Sequence, residues 1–114
     1  MSLRQSVFLM HALERIDLIN EYTEGRREAF FEDRKTRDAV LRNLELIGQS
    51  LKDHGLETLE ASQPDIRWRR IGNFRNVLAH EYMALDLDLI WEIITVHLPV
   101  LREAIASQLT IEAQ

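Results

Sequence analysis

The sequence contains no cysteine, only two prolines and four glycines, and no long apolar run. The absence of cysteine excludes disulfide bonds, thiolate metal ligands and a cysteine nucleophile, and it suits a reducing compartment. No stretch approaches the roughly 20 apolar residues that a membrane-spanning helix requires. The apolar run at residues 7–10 is also too short for a signal peptide. We therefore expect a soluble, cytoplasmic protein.

The scarcity of glycine, proline and alternating apolar positions predicts an all-α protein. Apolar residues recur at helical spacing in four long segments, at about residues 3–23, 35–54, 65–83 and from 86 onward. A short helical turn is expected at residues 26–33. With no composition shift along the chain, residues 1–114 are expected to form a single domain. The expected architecture is an antiparallel four-helix bundle with an additional short helix.

Local features set the expected helix boundaries. Asp86 is a suitable N-cap for the last helix, and Pro99 should kink or split that helix. Residues 56–65 have the weakest periodicity and are expected to be irregular. Pro64 is expected in the first turn of the helix that follows.

The charge is distributed unevenly along the chain. A formal net charge of −5 argues against a general nucleic-acid binder, which usually presents a basic surface. Residues 66–80 are an exception, because they contain four arginines and no acidic residue. These are Arg67, Arg69, Arg70 and Arg75.

Helical geometry divides residues 65–83 into two faces. At 100° per residue, one side carries apolar side chains and the opposite side carries polar ones. The apolar side comprises Ile71, Phe74, Leu78 and Tyr82, and the polar side comprises Arg69, Asn73, Asn76 and His80. Arg75 lies between the faces, about 140° from His80 on a straight helix. A helix bend, or the same helix of a second subunit approaching at the small residues Gly72 and Ala79, would bring the two side chains together.

Most of these residues also have an ordinary structural interpretation. A histidine on a polar helix face is usually solvated, and arginines on a helix are usually solvated or ion-paired. Tyr82 fits a core residue with an exposed hydroxyl, and Trp68 fits packing at the start of its helix. The other histidines, at positions 11, 54 and 97, are expected to be incidental. The sequence has no zinc-binding HExxH and no glycine-rich phosphate loop, so we expect no metal and no cofactor.

The pattern Arg75-Asn76-x-x-x-His80-x-Tyr82 resembles the R-x4-H-x-Y motif of the HepT-type toxins, in the HEPN superfamily of ribonucleases. The blocks at residues 33–50, 64–82 and 86–101 also resemble conserved blocks of that family, so the resemblance covers nearly the whole chain. It implies an HEPN-like helical bundle that acts as the toxin of a toxin–antitoxin system. It further implies metal-independent cleavage of RNA at a homodimer interface.

The resemblance also assigns roles to individual residues. Arg75 and His80 would be catalytic, with Asn76 supporting them, and Tyr82 would receive AMP from a small nucleotidyltransferase antitoxin. Histidine titrates near neutrality, and the arginine fork matches phosphate oxygens, so both residue types suit RNA cleavage. The arginines at positions 67, 69 and 70 would bind the RNA backbone.

One departure from the family pattern keeps an alternative open. The family commonly has glutamate after the glycine of its second block, and this chain has Gln49 there. A chain with a weakened site would act as a non-catalytic helical binding module for a nucleotidyltransferase partner. A purely structural bundle would leave the polar stripe of Asn73, Asn76 and His80 unexplained. The sequence does not identify the RNA that would be cleaved.

Overall fold

The computed structural model describes residues 3–80 and 84–114, with side chains from residue 5 to 78 and from 84 onward. Every regular element in these ranges is helical, which confirms the all-α prediction. The helices are α1 (Leu3–Thr23), α2 (Arg27–Glu32), α3 (Arg34–His54), α4 (Leu56–Ser62), α5 (Trp68–His80), α6 (Leu87–Glu92) and, after a π-helical turn (Ile93–His97), α7 (Leu98–Ala113). None of the described helices combines the length and the apolar character of a membrane span.

The core lies between α1, α3 and the C-terminal helices of the antiparallel bundle. Each long helix buries an apolar stripe at spacings of three and four residues, as amphipathic helices do. Buried members include Leu9, Ile16 and Ile19 from α1, Val40, Ile47 and Leu51 from α3, and Leu101 and Ile105 from α7. Phe30 of α2 is fully buried and stacks on Trp91, with ring centroids 5.8 Å apart. The expected helical turn at residues 26–33 therefore closes one side of the core.

Two boundary predictions around the fifth helix are wrong. The segment expected to be irregular, residues 56–65, contains α4. This helix begins directly after Gly55 and buries Leu59. Gly55 lies between α3 and α4 and has a φ of 119°, a backbone conformation that other residues rarely adopt. The next helix begins at Trp68, so Pro64 lies in the preceding turn and not in the first helical turn.

The predictions for the start and the interruption of the C-terminal helix are confirmed. The Asp86 carboxylate accepts hydrogen bonds from the backbone N–H groups of Asp88 (3.0 Å) and Leu89 (3.2 Å). Pro99 stands in the first turn of α7, directly after the π-helical turn. Proline lacks an N–H and crowds the preceding turn, so a locally widened helix accommodates it.

Candidate functional site

The N-terminal end of α5 is fixed to the core through Trp68. This side chain is fully buried, and its Nε1–H donates to the backbone carbonyl of Gln63 at 3.1 Å. The Gln63 side chain in turn donates to the carbonyl of Ala104 at 2.8 Å and to the side chain of Gln108 at 3.1 Å. The expected packing role of Trp68 is confirmed, and the start of α5 is tied to α7.

The two faces of α5 agree with the helical-wheel prediction wherever side chains are described. Leu78 is buried, and Ile71 and Phe74 are half-buried against the core. Asn73 and Asn76 are exposed on the opposite face. The backbone of His80 belongs to α5, but its side chain lies outside the described residues, and so does Tyr82.

Arg75 is half-buried where α5 crosses α3. Its Nη1 donates to Oδ1 of the neighbouring Asn76 at 3.2 Å, and its Nε is buried without a hydrogen-bond partner among the described residues. No described carboxylate pairs with this guanidinium. The positive charge of Arg75 is therefore not neutralised within the described part of the chain.

The three arginines expected to bind RNA differ in their surroundings, although all three are exposed. Arg69 forms an ion pair with Glu60 at 2.8 Å, and this hydrogen bond, together with the charges of Glu60 and Glu57, raises the pKa of Arg69. Arg67 and Arg70 have no carboxylate partner among the residues described. Within the described part of the chain, the guanidinium groups of two of the three predicted residues are therefore not paired with a carboxylate.

Gln49 lies on α3 next to the crossing with α5. Its side-chain amide donates to the carboxylate of Asp53, one helical turn later, at 2.9 Å. It makes no described hydrogen bond to Arg75. An orienting contact of the kind that a glutamate would give is therefore not formed by the residue at this position.

Gly72 does not offer the free surface that its small size suggested. It is buried within its own chain. A Cβ atom built on Gly72 would meet the two methyl groups of Leu56 at 3.3 Å and Cγ of Lys52 at 3.4 Å. The expectation that a second subunit approaches at Gly72 is therefore wrong, and Ala79, the other small residue, has no described side chain.

An apolar groove runs between α3, α5 and the C-terminal helices. It has a volume of about 590 Å³, and half-buried Ile71, Phe74 and Ile93 form part of its lining. Leu89, Val96 and Val100 also line it and are 49%, 54% and 57% exposed. Arg67, Arg70 and Asp65 lie at the same groove, so its charged edge has two cationic side chains and one acidic one. This apolar surface is adjacent to the helix that carries the motif.

His54 is not incidental, contrary to the prediction from sequence. Its Nε2 lies 2.6 Å from Oε1 of Glu112, and both side chains are essentially inaccessible to solvent, at 0% and 1% exposure. The side chain of Gln5 reaches the His54 carbonyl at 3.4 Å. This pair joins the ends of α3 and α7 near the start of α1. The two residues are 58 positions apart in the sequence, so no local sequence pattern could have predicted their contact.

Beside His54 is a polar cavity of about 520 Å³, which Lys52, Glu57, Arg69 and Asn73 also line. Its charges are balanced, with two cationic side chains against Glu57 and the Glu60 partner of Arg69. Within the ranges described, no group of three or more histidine, aspartate or glutamate side chains is placed to hold a metal ion.

Comparisons with known proteins agree on one family. The family model described as HepT-like, Ribonuclease HepT-like, matches residues 12–107. A Methanocaldococcus jannaschii protein named "Gamma-glutamylcyclotransferase and putative RNase" is 37% identical over 87% of this chain, but the chain spans only 45% of that protein's length. A Thermococcus cleftensis protein named "Probable ribonuclease HepT" is 34% identical over 83% of this chain and 86% of its own. No solved structure gives a significant match.

Proposed function

Because the chain belongs to the HepT-like ribonuclease family, we propose that it is a metal-independent endoribonuclease and the toxin of a toxin–antitoxin system. The main support for the proposal is the burial and hydrogen bonding of Arg75. Among the described residues, Arg75 is half-buried, donates to Asn76 and pairs with no carboxylate, so its charge is available to an external anion. A phosphate group of RNA is the anion whose geometry the guanidinium fork matches.

The proposed reaction uses the nucleophile that RNA itself carries. The 2′-hydroxyl attacks the adjacent phosphorus, the bond to the 5′-oxygen breaks, and a 2′,3′-cyclic phosphate and a 5′-hydroxyl end result. His80 takes the proton of the 2′-hydroxyl or gives one to the leaving 5′-oxygen, and water exchanges the other proton, since imidazole titrates near neutrality. Arg75 stabilises the negative charge that develops on the phosphate oxygens. Asn76 holds the Arg75 guanidinium from the exposed side.

We propose that the active form is a homodimer whose subunits meet at the apolar groove. Arg75 and His80 are separated by five residues, so they point about 140° apart on a straight helix. A second copy therefore supplies the missing partner more directly than a single helix does. Leu89, Val96 and Val100 are each about half exposed and form a contiguous apolar surface that a partner would cover.

The dimer proposal is tested by placing a charge in the groove. Val96→Asp should shift the protein to monomer in analytical ultracentrifugation and should remove RNA cleavage. Val7→Asp is the matched control, because Val7 is 43% exposed on α1 and does not line the groove. A dimer that survives Val96→Asp would contradict this interface.

The proposed regulation is modification of Tyr82 by a nucleotidyltransferase antitoxin. The Tyr82 oxygen attacks the α-phosphate of ATP, AMP is transferred to the tyrosine, and pyrophosphate leaves. Tyr82 follows His80 by two residues, so the added AMP places bulk and negative charge where an RNA phosphate would bind. Tyr82→Phe should cleave RNA but escape both modification and neutralisation. Labelling of Tyr82→Phe with radioactive ATP and the partner would show that another residue is the acceptor.

The ribonuclease itself is tested on total cellular RNA in EDTA. Wild-type protein should cleave and leave 2′,3′-cyclic phosphate ends, whereas His80→Ala and Arg75→Ala should each lose cleavage while remaining folded. His11→Ala is the matched control, because His11 is exposed on α1 and away from α5. Cleavage that persists in His80→Ala would contradict the assigned chemistry.

One observation favours the second candidate, a non-catalytic module that binds a nucleotidyltransferase. Gln49 bonds to Asp53 and not to Arg75, so position 49 does not give Arg75 the carboxylate that is common there in the family. An unmodified wild-type dimer that binds the partner without cleaving RNA would establish this alternative.

A further inference from the structure

The helices α3 and α5 lie very close together at Gly48, beneath Arg75. A Cβ atom built on Gly48 would stand 2.8 Å from Cβ of Arg75, 3.3 Å from the carbonyl oxygen of Ile71 and 3.4 Å from that of Gly72. Separations under 3.0 Å essentially do not occur for real Cβ atoms. All three atoms are fixed by the backbone of α5, so none can rotate away. Any side chain at position 48 therefore requires α5 to move.

The need for space, and not for backbone freedom, accounts for glycine at this position. Gly48 lies inside α3 and is not among the glycines with positive φ, which are Gly25 and Gly55. Glycine is one of the least favourable residues in a helix interior, so local conformation alone would select against it. The contact with α5 is the feature of the structure that only glycine permits.

We infer that Gly48 is a positioning residue for Arg75. By carrying no side chain it lets α5 lie against α3, so that the stem of Arg75 is held between the helices with its Nε shielded from solvent. The tip of the guanidinium then emerges beside Asn76 on the exposed face. The carbonyl of Ile71 is the helical hydrogen-bond acceptor for the Arg75 N–H, so the same contact steadies the turn that carries the arginine. The inference rests on the proposed role of Arg75 in cleavage.

Gly72 provides a matched control within the same pair of helices. A Cβ there would meet only the methyl ends of Leu56 and the Cγ of Lys52, at 3.3 and 3.4 Å. These are the outer parts of flexible side chains and can shift by a few tenths of an ångström. Gly72→Ala therefore makes the same chemical change at the same interface without displacing Arg75.

The kinetic test compares Gly48→Ala with Gly72→Ala in RNA cleavage. We expect Gly48→Ala to lower kcat roughly 10- to 100-fold, since a displacement of about 1 Å at a catalytic group can cost 10²-fold. We expect its KM to change less than about threefold, because the other cationic side chains still bind RNA. Gly72→Ala should keep wild-type kcat. Wild-type kcat in Gly48→Ala, or an equal loss in both variants, would overturn the inference.

A second measurement separates this inference from the proposed function, because it needs no RNA. The Nε–H signal of Arg75 in a ¹H–¹⁵N spectrum is identified by its disappearance in Arg75→Lys. In Gly48→Ala this proton should exchange faster with water, and in Gly72→Ala it should exchange as in the wild type. Should the wild type cleave no RNA, the proposed function fails while this readout still decides whether Gly48 holds Arg75. Unchanged exchange in Gly48→Ala would overturn the positioning role.

A third variant covers the case in which Gly48→Ala does not fold. The double variant Gly48→Ala/Arg75→Gly removes the Cβ that causes the closest contact. It should then fold. Because the new glycine itself weakens α5, the comparison includes Arg75→Gly alone: Gly48→Ala should lower the melting temperature less in the Arg75→Gly background than in the wild type. An equal loss in both backgrounds would show that contact with Arg75 is not what requires glycine.

Discussion

Removal of either member of the buried pair His54–Glu112 should destabilise the fold far more than removal of an exposed ion pair. The His54 and Glu112 side chains are 0% and 1% exposed and lie 2.6 Å apart, whereas Arg102 and Asp17 are 46% and 54% exposed at 2.8 Å. Water can replace a lost partner in the exposed pair but cannot reach the buried one. The two pairs thus have similar distances between their charged atoms, but one pair is buried and the other is exposed to solvent.

The expected magnitude follows from the atoms that would be left without partners. In Glu112→Leu both ring nitrogens of His54 become buried and unpaired, because its Nδ1 already lacks a partner among the described residues. A buried polar group left unpaired costs about 1–3 kcal/mol. The middle of this range gives an expected cost of about 2 kcal/mol. With about 2.1 cal/mol/K per residue over 114 residues, this corresponds to a fall in Tm of about 8 °C.

The assay is urea denaturation of four proteins at pH 7: wild type, His54→Leu, Glu112→Leu and the double variant. The double variant should lose less stability than the two single variants together, because it leaves no buried polar group unpaired. Arg102→Ala is the control and should cost no more than about 1 kcal/mol. A single substitution in the buried pair that costs as little as Arg102→Ala would refute the reasoning.

Three further perturbations have defined outcomes. The hydrogen bond from Arg102 lowers the pKa of Asp17, so the pair stabilises the fold above the unfolded pKa near 4. This stabilisation is lost as pH falls through the lower pKa of the folded state. The fall in Tm at acid pH should therefore be shallower in Asp17→Asn, and an unchanged fall would contradict a role of Asp17 in acid stability. Asp86→Ala removes the cap of α6 and should cost about 1 kcal/mol in urea denaturation, with Asp86→Ser retaining most of the stability. Gln49→Glu should raise the rate of RNA cleavage if a carboxylate at this position orients Arg75, and an unchanged rate would show that the Asp53 contact of the glutamine is harmless.

The fold was largely predictable because helices are encoded locally. Apolar residues three and four positions apart define α1 and α3 to within one residue of their observed ends, and Asp86 marks the start of the C-terminal segment. One exception is the start of α5, and another is α4, which spans only seven residues, Leu56–Ser62. Its helix is held by burial of Leu59 and by the turn at Gly55, so tertiary contacts and not periodicity determine it.

The candidate site was predictable only as far as one helix determines it. The exposed positions of Asn73 and Asn76 follow from the 3.6-residue period alone. The contact of Gly48 with Arg75 joins residues 27 positions apart, and the pair of His54 with Glu112 joins residues 58 positions apart. Such contacts depend on how whole helices cross, which no pattern within one helix records.

The paired charges also explain why net charge is a poor guide to the ligand of this chain. The net charge of −5 counts every carboxylate equally. Several of them are already paired, as Glu60 is with Arg69 and Glu112 with His54. The guanidinium groups of Arg67, Arg70 and Arg75, in contrast, have no described carboxylate partner. Exposed charges are largely screened beyond about 8–10 Å, so a phosphate near α5 experiences these local cations and not the average of the molecule.

These arginines should make RNA affinity depend on salt concentration. Each cation that neutralises a phosphate releases condensed counterions, at about 0.7 per contact on a single strand. Arg67→Ala and Arg70→Ala should therefore each reduce the slope of log affinity against log salt by about that amount, measured with non-cleavable 2′-O-methyl RNA. Arg69→Ala should change the slope less, because Glu60 already neutralises its charge in the free protein. An equal change for all three would mean that the ion pair opens when RNA binds and that Arg69 contacts phosphate as its neighbours do.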